Sequence, residues 1–210
     1  MPPKSRQKTS KSESAATAPI KIPRTGTKPV KVKAATKSAK PAAAAATPAA
    51  SPISEGQPAP AFKITRDGGA TVSSADFRGK NLVIFFYPRA DTPGCTLEAI
   101  DFTRRAGDFA KLDTAVLGVS ADSQKLQEKF RNKHNLKIPL GADEEHTMLN
   151  AFGVWGEKSM YGRTFMGVLR TTVLIDKGGA IAKIWRNVKV EGHADDVLLE
   201  ARSLAGKKAK

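Results

Sequence analysis

The hydrophobic pattern of the chain changes character near residue 53. From Ser5 to Ser51 the sequence interleaves Lys, Ala, Pro, Ser and Thr without a single aromatic residue. That composition cannot bury enough apolar surface to offset chain entropy, and a disordered arm is predicted over residues 1–52. A folded domain is predicted over residues 53–210, beyond the Ala42–Ala46 and Thr47-Pro48 linker. Phe62-Lys63-Ile64 alternates as a short strand, and Asp67-Gly68-Gly69 reads as a turn. Leu82-Val83-Ile84-Phe85-Phe86-Tyr87 is continuously apolar, as a central strand buried on both faces should be. Thr114 to Ser120 reads as a second strand. Between them, Leu97, Ile100, Phe102 and Phe109 fall at roughly helical spacing across Cys95 to Phe109, and Ser123 to His134 is a polar-faced helix. Strand, helix, strand, helix implies parallel pairing. Thr171–Asp176 and Ala180–Arg186 then form a hairpin across Lys177-Gly178-Gly179, and Ala194–Leu204 closes the chain as a helix. The predicted class is α/β, with a mixed central sheet flanked by helices.

Charge sharpens the boundary. The chain has 210 residues and a formal net charge of +15, of which residues 1–50 supply +10 through nine Lys and two Arg against one acid, Glu13. A basic arm on a domain of ordinary charge follows, and a uniformly basic globule is excluded. Lysines 28, 31, 33, 37 and 40 have the texture of linker-histone-like tails, which neutralise phosphates without reading bases. Three readings of the arm stand: a solvated tail, a non-specific DNA contact through residues 1–50, and a transit peptide. Lys over Arg, and prolines at 19, 23, 29 and 41, count against the last.

One cysteine excludes an intramolecular disulfide and any zinc site of several thiolates. His134, His146 and His193 are too far apart for a spaced metal motif, so surface or capping roles are expected and no metal or cofactor is called for. The strongest apolar run, Leu82 to Tyr87, is far short of a membrane span and is closed by Pro88. No apolar stretch follows Met1-Pro2-Pro3-Lys4, so no secretory leader and no membrane partner are expected. The expected compartment is reducing and intracellular: cytoplasmic, with nucleoid association if the arm binds DNA, or nuclear in a eukaryote.

Chemistry concentrates in Tyr87-Pro88-Arg89-Ala90-Asp91-Thr92-Pro93-Gly94-Cys95-Thr96-Leu97-Glu98, which leaves the central strand, turns through two prolines and a glycine, and enters a helix. In a first turn, Cys95 meets unpaired N–H groups and the positive end of the helix dipole, which favour the nucleophilic thiolate. The alternative is a buried thiol acting as a small core hydrophobe. Glu98, one turn further on, either opposes the thiolate or pairs with an arginine. Trp155 and Trp185 read as packing residues, and Met160 and Met166 flank Tyr161 in a glycine-bearing loop.

Thr92-Pro93-Gly94-Cys95-Thr96 after Phe86-Tyr87-Pro88 resembles the active-site signature of peroxiredoxins of the bacterioferritin comigratory protein, or Q-type, subfamily. Gly118-Val119-Ser120-Ala121-Asp122-Ser123, Tyr161-Gly162 with Met166-Gly167, Arg170 to Asp176 and Val188 to Ala194 resemble further blocks of it in the same order. The resemblance covers about residues 53 to 205 and implies a thioredoxin-like (peroxiredoxin) fold with thiol-dependent peroxidase activity on hydrogen peroxide or alkyl hydroperoxides. It implies that Cys95 is the peroxidatic cysteine, that Thr92 orients the peroxide, that Pro93 shields the thiolate and that Arg170 sets its guanidinium beside it. Many members carry a resolving cysteine five residues later, where this chain has Ile100. An external thiol must then reduce the sulfenic acid, with thioredoxin, glutaredoxin or a small thiol such as glutathione as the implied reductant. A monomer or weak dimer is expected. The competing functions are a DNA-associating protein with a protective domain and a thiol redox sensor.

Overall fold

A computed structural model of the chain describes residues 53–160 and 162–207. The arm expected over residues 1–52 lies outside the described residues, as does Tyr161. The elements run β1 (Lys63–Arg66), β2 (Thr71–Ser73), β3 (Asn81–Phe86), α1 (Pro93–Lys111), β4 (Thr114–Ser120), α2 (Gln124–His134), β5 (Leu140–Ala142), α3 (Thr147–Ala151), β6 (Trp155–Met160), β7 (Arg163–Val168), β8 (Thr171–Ile175), β9 (Ile181–Arg186) and α4 (His193–Lys207). Asp67-Gly68-Gly69 makes the expected turn, with both glycines at positive φ.

Seven strands form one mixed sheet in the order β2-β1-β5-β4-β3-β8-β9. β3 pairs with β4 and β4 with β5 in parallel, each across a helical crossover, as the strand and helix alternation requires. The remaining pairs are antiparallel. The uninterrupted apolar run of β3 has a direct cause in its central place: successive side chains serve two different cores. Leu82, Ile84 and Phe86 pack with Phe62, Ile64, Leu149, Phe152 and Val173 on one face. Val83, Phe85 and Tyr87 pack with Phe102 and Phe109 of α1, Phe130 of α2 and Val197 of α4 on the other. The Phe85 ring stacks on Phe102 with centroids 4.6 Å apart. It also fills the space over Gly118, where a Cβ would lie 2.6 Å from the Phe85 ring, so β4 needs a glycine at that point.

The structure departs from the sequence pattern in several places. The segment around Tyr161, expected as a loop, is a hairpin in which β6 and β7 pair antiparallel from Trp155↔Val168 to Met160↔Arg163 as a separate two-stranded sheet. Gly156 and Gly167 interrupt its alternation, and most of β7 is exposed, so no period-2 signal survives. Its Trp155↔Val168 end is pinned: Val154 and Val168 are buried in the first core, and the Trp155 ring stacks on His146 at 3.8 Å. β5 is three residues long and carries Gly141 opposite the Ile64 side chain. His193, expected at the surface or as a cap, is buried at the start of α4. There its Nε2 hydrogen-bonds with Thr172 Oγ1 at 2.8 Å, and the Phe102 and Trp185 rings meet it edge-on. Burial pushes its imidazole down to about 4, so it packs as a neutral ring.

Candidate active site

Sheet register explains why two residues 75 positions apart meet. Phe86, the last residue of β3, pairs antiparallel with Thr171, the first of β8. The residue just before β8, Arg170, therefore lies beside the chain just leaving β3. That chain turns at Asp91, whose φ of 60° is left-handed backbone that Asp tolerates better than most residues. His134 and Lys133 of α2 each bond its carboxylate at 2.7 Å and hold it below the usual carboxylate range. The Ala90 N–H donates to Asp122 at 2.6 Å.

Under this turn lies a buried polar network that the sequence did not announce. The Tyr87 hydroxyl donates to Gln127 Oε1. Gln127 Nε2 donates to Ser120 Oγ at 2.7 Å and to the Gly141 carbonyl at 3.0 Å, and Ser120 Oγ donates to Asp122 at 2.7 Å. Burial pushes the Tyr87 phenol up, so it remains a neutral donor. The network satisfies groups that would otherwise be costly to bury and braces the turn before α1.

Thr92 is the N-cap of α1 and Pro93 occupies its first turn, where a missing N–H costs nothing. Cys95 follows in the same turn, 1% exposed. Arg170 Nη2 donates to Cys95 Sγ at 3.2 Å, while Nη1 pairs with Glu98 Oε2. Glu98, one turn along α1, is 1% exposed, and its second oxygen, Oε1, is buried without a hydrogen-bond partner among the described residues. Burial pushes the Glu98 carboxyl up to about 7 against the pull of Arg170. Burial also works against the Arg170 charge, but Glu98 and Cys95 outweigh it and hold the guanidinium above its ordinary value. Of the two readings of Glu98, the arginine pair is the one present.

The structure thus brings Cys95 and Arg170 into contact and sets Thr92 and Pro93 at the entry to the same helix. The Thr92 hydroxyl donates to the Arg89 carbonyl at 3.0 Å, closing the turn, and Pro93 is exposed. A groove of about 660 Å³ opens beside Thr92, lined by Arg89, Asp122, Leu126, Phe130 and Lys133 among others. One further neighbour had no sequence signal. Lys158 of β6 donates from Nζ to the Val168 carbonyl at 2.9 Å, two residues before Arg170.

Residues 55–184 match the model of the AhpC/TSA family. The chain belongs to the AhpC/TSA family. Peroxiredoxin Bcp of Bacillus subtilis (strain 168) is 44% identical over 155 residues, which span 74% of this chain and 99% of that protein. Peroxiredoxin Bcp of Escherichia coli (strain K12) is 37% identical over 147 residues, spanning 70% and 94%. Among solved structures, the bacterioferritin comigratory protein of Xanthomonas campestris aligns with a TM-score of 0.66 at 38% identity, covering 69% of this chain and 92% of that one. This AhpC/TSA chain is therefore a thiol-dependent peroxidase with the thioredoxin-like architecture that the motif resemblance implied. Among the described residues, no helix is long and apolar enough to cross a membrane.

Proposed function

We propose that Cys95 is the peroxidatic nucleophile and that a thiol from another molecule resolves its sulfenic acid. The observation that carries this reading is the Arg170 guanidinium on a buried Sγ at the positive end of α1. In the first step the Cys95 thiolate attacks one peroxide oxygen, an S–O bond forms and the O–O bond breaks. Sulfur loses two electrons, and the leaving hydroxide or alkoxide takes a proton to depart as water or alcohol. Arg170 stabilises the thiolate and then the charge that develops on the leaving oxygen. Thr92 would orient the peroxide with its hydroxyl once that hydroxyl turns from the Arg89 carbonyl, and Pro93 shields the sulfur from bulk water.

The second step follows from composition. The chain holds one cysteine, and the position five residues on is Ile100, half-buried in α1 against the second core. An external thiol attacks the sulfenic acid and releases water. A second thiol attacks the resulting mixed disulfide, restoring Cys95 and leaving as a disulfide with the first. Thioredoxin, glutaredoxin and a small thiol such as glutathione are the candidate reductants. The Xanthomonas campestris relative has alkyl peroxide reduction activity, which supports organic hydroperoxides as substrates beside hydrogen peroxide. A single chain holds every group of the first step, so a monomer or weak dimer suffices. DNA contact through residues 1–50, and nucleoid association with it, rests on their +10 alone and lies outside the described residues.

Cys95→Ser tests the nucleophile, since the oxygen is similar in size but far less ionised near neutral pH. Peroxide consumption with a panel of thiol donors should fall to background while the far-UV circular dichroism stays unchanged. Retained thiol-dependent turnover would refute the assignment.

A further inference from the structure

The charges around Sγ do not balance on Arg170 alone. The same guanidinium bonds both Sγ and the Glu98 carboxylate. When Glu98 is ionised it takes up the charge of Arg170, and a thiolate then adds an uncompensated negative charge to a nearly dry pocket. Among the described residues, Tyr87, His193 and Lys158 are further ionisable groups whose charges couple to Cys95 or Arg170. Burial keeps the Tyr87 phenol protonated and the His193 imidazole neutral near pH 7, so neither supplies a cation. Lys158 remains. Its neighbours in the hairpin, Glu157 and Arg163, are exposed to solvent.

The hairpin holds Lys158 in one place. β6 pairs Lys158 with Phe165, and the lysine stem crosses Gly167, where a Cβ would come within 3.3 Å of Cδ. The glycine leaves room for the stem, and Nζ reaches the Val168 carbonyl at 2.9 Å. Lys158 is half-buried, and no carboxylate of the described residues lies within ion-pair distance of it. Burial first and then the charge of Arg170 hold its ammonium below the ordinary lysine value, and Cys95 acts in the opposite direction, favouring the charge.

We propose that Lys158 is a second cation of the Cys95 pocket, held by the Val168 carbonyl so that the thiolate keeps a countercharge while Glu98 occupies Arg170. It is a positioning residue that acts on the thiolate through its field. The proposal rests on the reading of Cys95 as the nucleophile, and it assigns a function to a hairpin that otherwise lies outside the main sheet.

Because Cys95 is the only cysteine, iodoacetamide alkylation of the full-length protein reports its thiolate directly, whether or not peroxide is the substrate. Lys158→Met keeps the stem and removes the charge. It should move the midpoint of alkylation rate against pH upward by about half a unit to one unit, and slow peroxide reaction at pH 7 by about three- to tenfold. Lys158→Arg should restore both, and Lys158→Gln, which keeps a donor for Val168 without charge, should behave like the Met variant. An unmoved alkylation profile in Met and Gln variants with native circular dichroism overturns the proposal. So does an equal shift in the Arg variant, which would assign the effect to hairpin packing. Turnover retained in Cys95→Ser would instead overturn the nucleophile assignment and leave the alkylation result intact.

Discussion

The first turn of α1 carries Cys95 and the β6–β7 hairpin carries Lys158, yet the two are built in opposite ways. Cys95, Glu98, Ala99 and Phe102, the floor of the site, are sealed between β3 and α4, and Arg170 is fixed there by the antiparallel register of β3 and β8. Among the described residues the hairpin pairs only with itself, is anchored at its Trp155↔Val168 end, and exposes Phe165 and Met166 at 44% and 54%. An isolated two-stranded ribbon is marginal without such anchors. In the floor, a change in one charge leaves another group stranded away from water. In the hairpin, solvent absorbs most changes, and the charge of Lys158 is the feature that reaches inward.

The sharpest contrast comes from cutting the floor. Arg170→Met removes the donor to Sγ and the partner of Glu98 together. Peroxide reaction at pH 7 should fall by about 100-fold or more, in line with the loss of a charged donor at a developing anion. Glu98 then keeps its proton in an apolar site, and urea denaturation at pH 7 should show a loss of about 1–3 kcal/mol that narrows toward pH 5. A wild-type rate in this variant would remove Arg170 from the chemistry and erase the contrast with the hairpin.

Two buried titrating groups in the floor provide a subtler test, because their linkage to folding has opposite signs. Glu98 is raised from 4.5 unfolded to about 7 folded. Its contribution to stability is full below pH 4.5 and is lost as pH rises through about 7. His193 is lowered from 6.5 unfolded to about 4 folded. Its contribution is full above pH 6.5 and is lost as pH falls through about 4. Between pH 4.5 and 6.5 the two slopes oppose each other. Glu98→Gln should leave a protein that loses stability on acidification from pH 6.5 to 4, and His193→Gln one that loses stability as pH rises from 4.5 to 7. Each slope is bounded at about 1.4 kcal/mol per pH unit. Urea midpoints measured across this range would contradict the assignment if both variants sloped the same way.

How far the sequence could be read follows the same division. β3, β4, α1 and α2 were legible because each buries a face with its own period: an unbroken apolar run where both sheet faces are covered, and a helical stripe where one is. Cys95 stood out because a turn of two prolines and a glycine leads from a buried strand into its helix. Arg170 did not stand out by itself. Its place depends on the register of two strands far apart in sequence, and only motif resemblance pointed to it. Glu98 was legible only as a choice between opposing the thiolate and pairing with an arginine, because its burial depends on how α1 docks, and His193 looks like a helix cap until Phe102 and Trp185 close over it. Lys158 was invisible because glycines break the strand pattern around it and because its relevance lies in a field rather than in a motif.

The smallest expected effect lies at the exposed strand of the hairpin. Phe165 and Met166 sit on β7, away from the pinned Trp155↔Val168 end, and bury little surface among the described residues. Phe165→Ser and Met166→Ser should each change stability by no more than about 0.5 kcal/mol, the usual range for surface substitutions. If anchoring at that end is what holds the ribbon, the alkylation profile of Cys95 should also stay where it is, because Lys158 keeps its bond to the Val168 carbonyl. Thermal denaturation and the iodoacetamide titration measure the two quantities independently. A loss near 2 kcal/mol in either variant would mean that β7 carries packing as important as the floor's, and the hairpin could no longer be treated as the tolerant wall of the site.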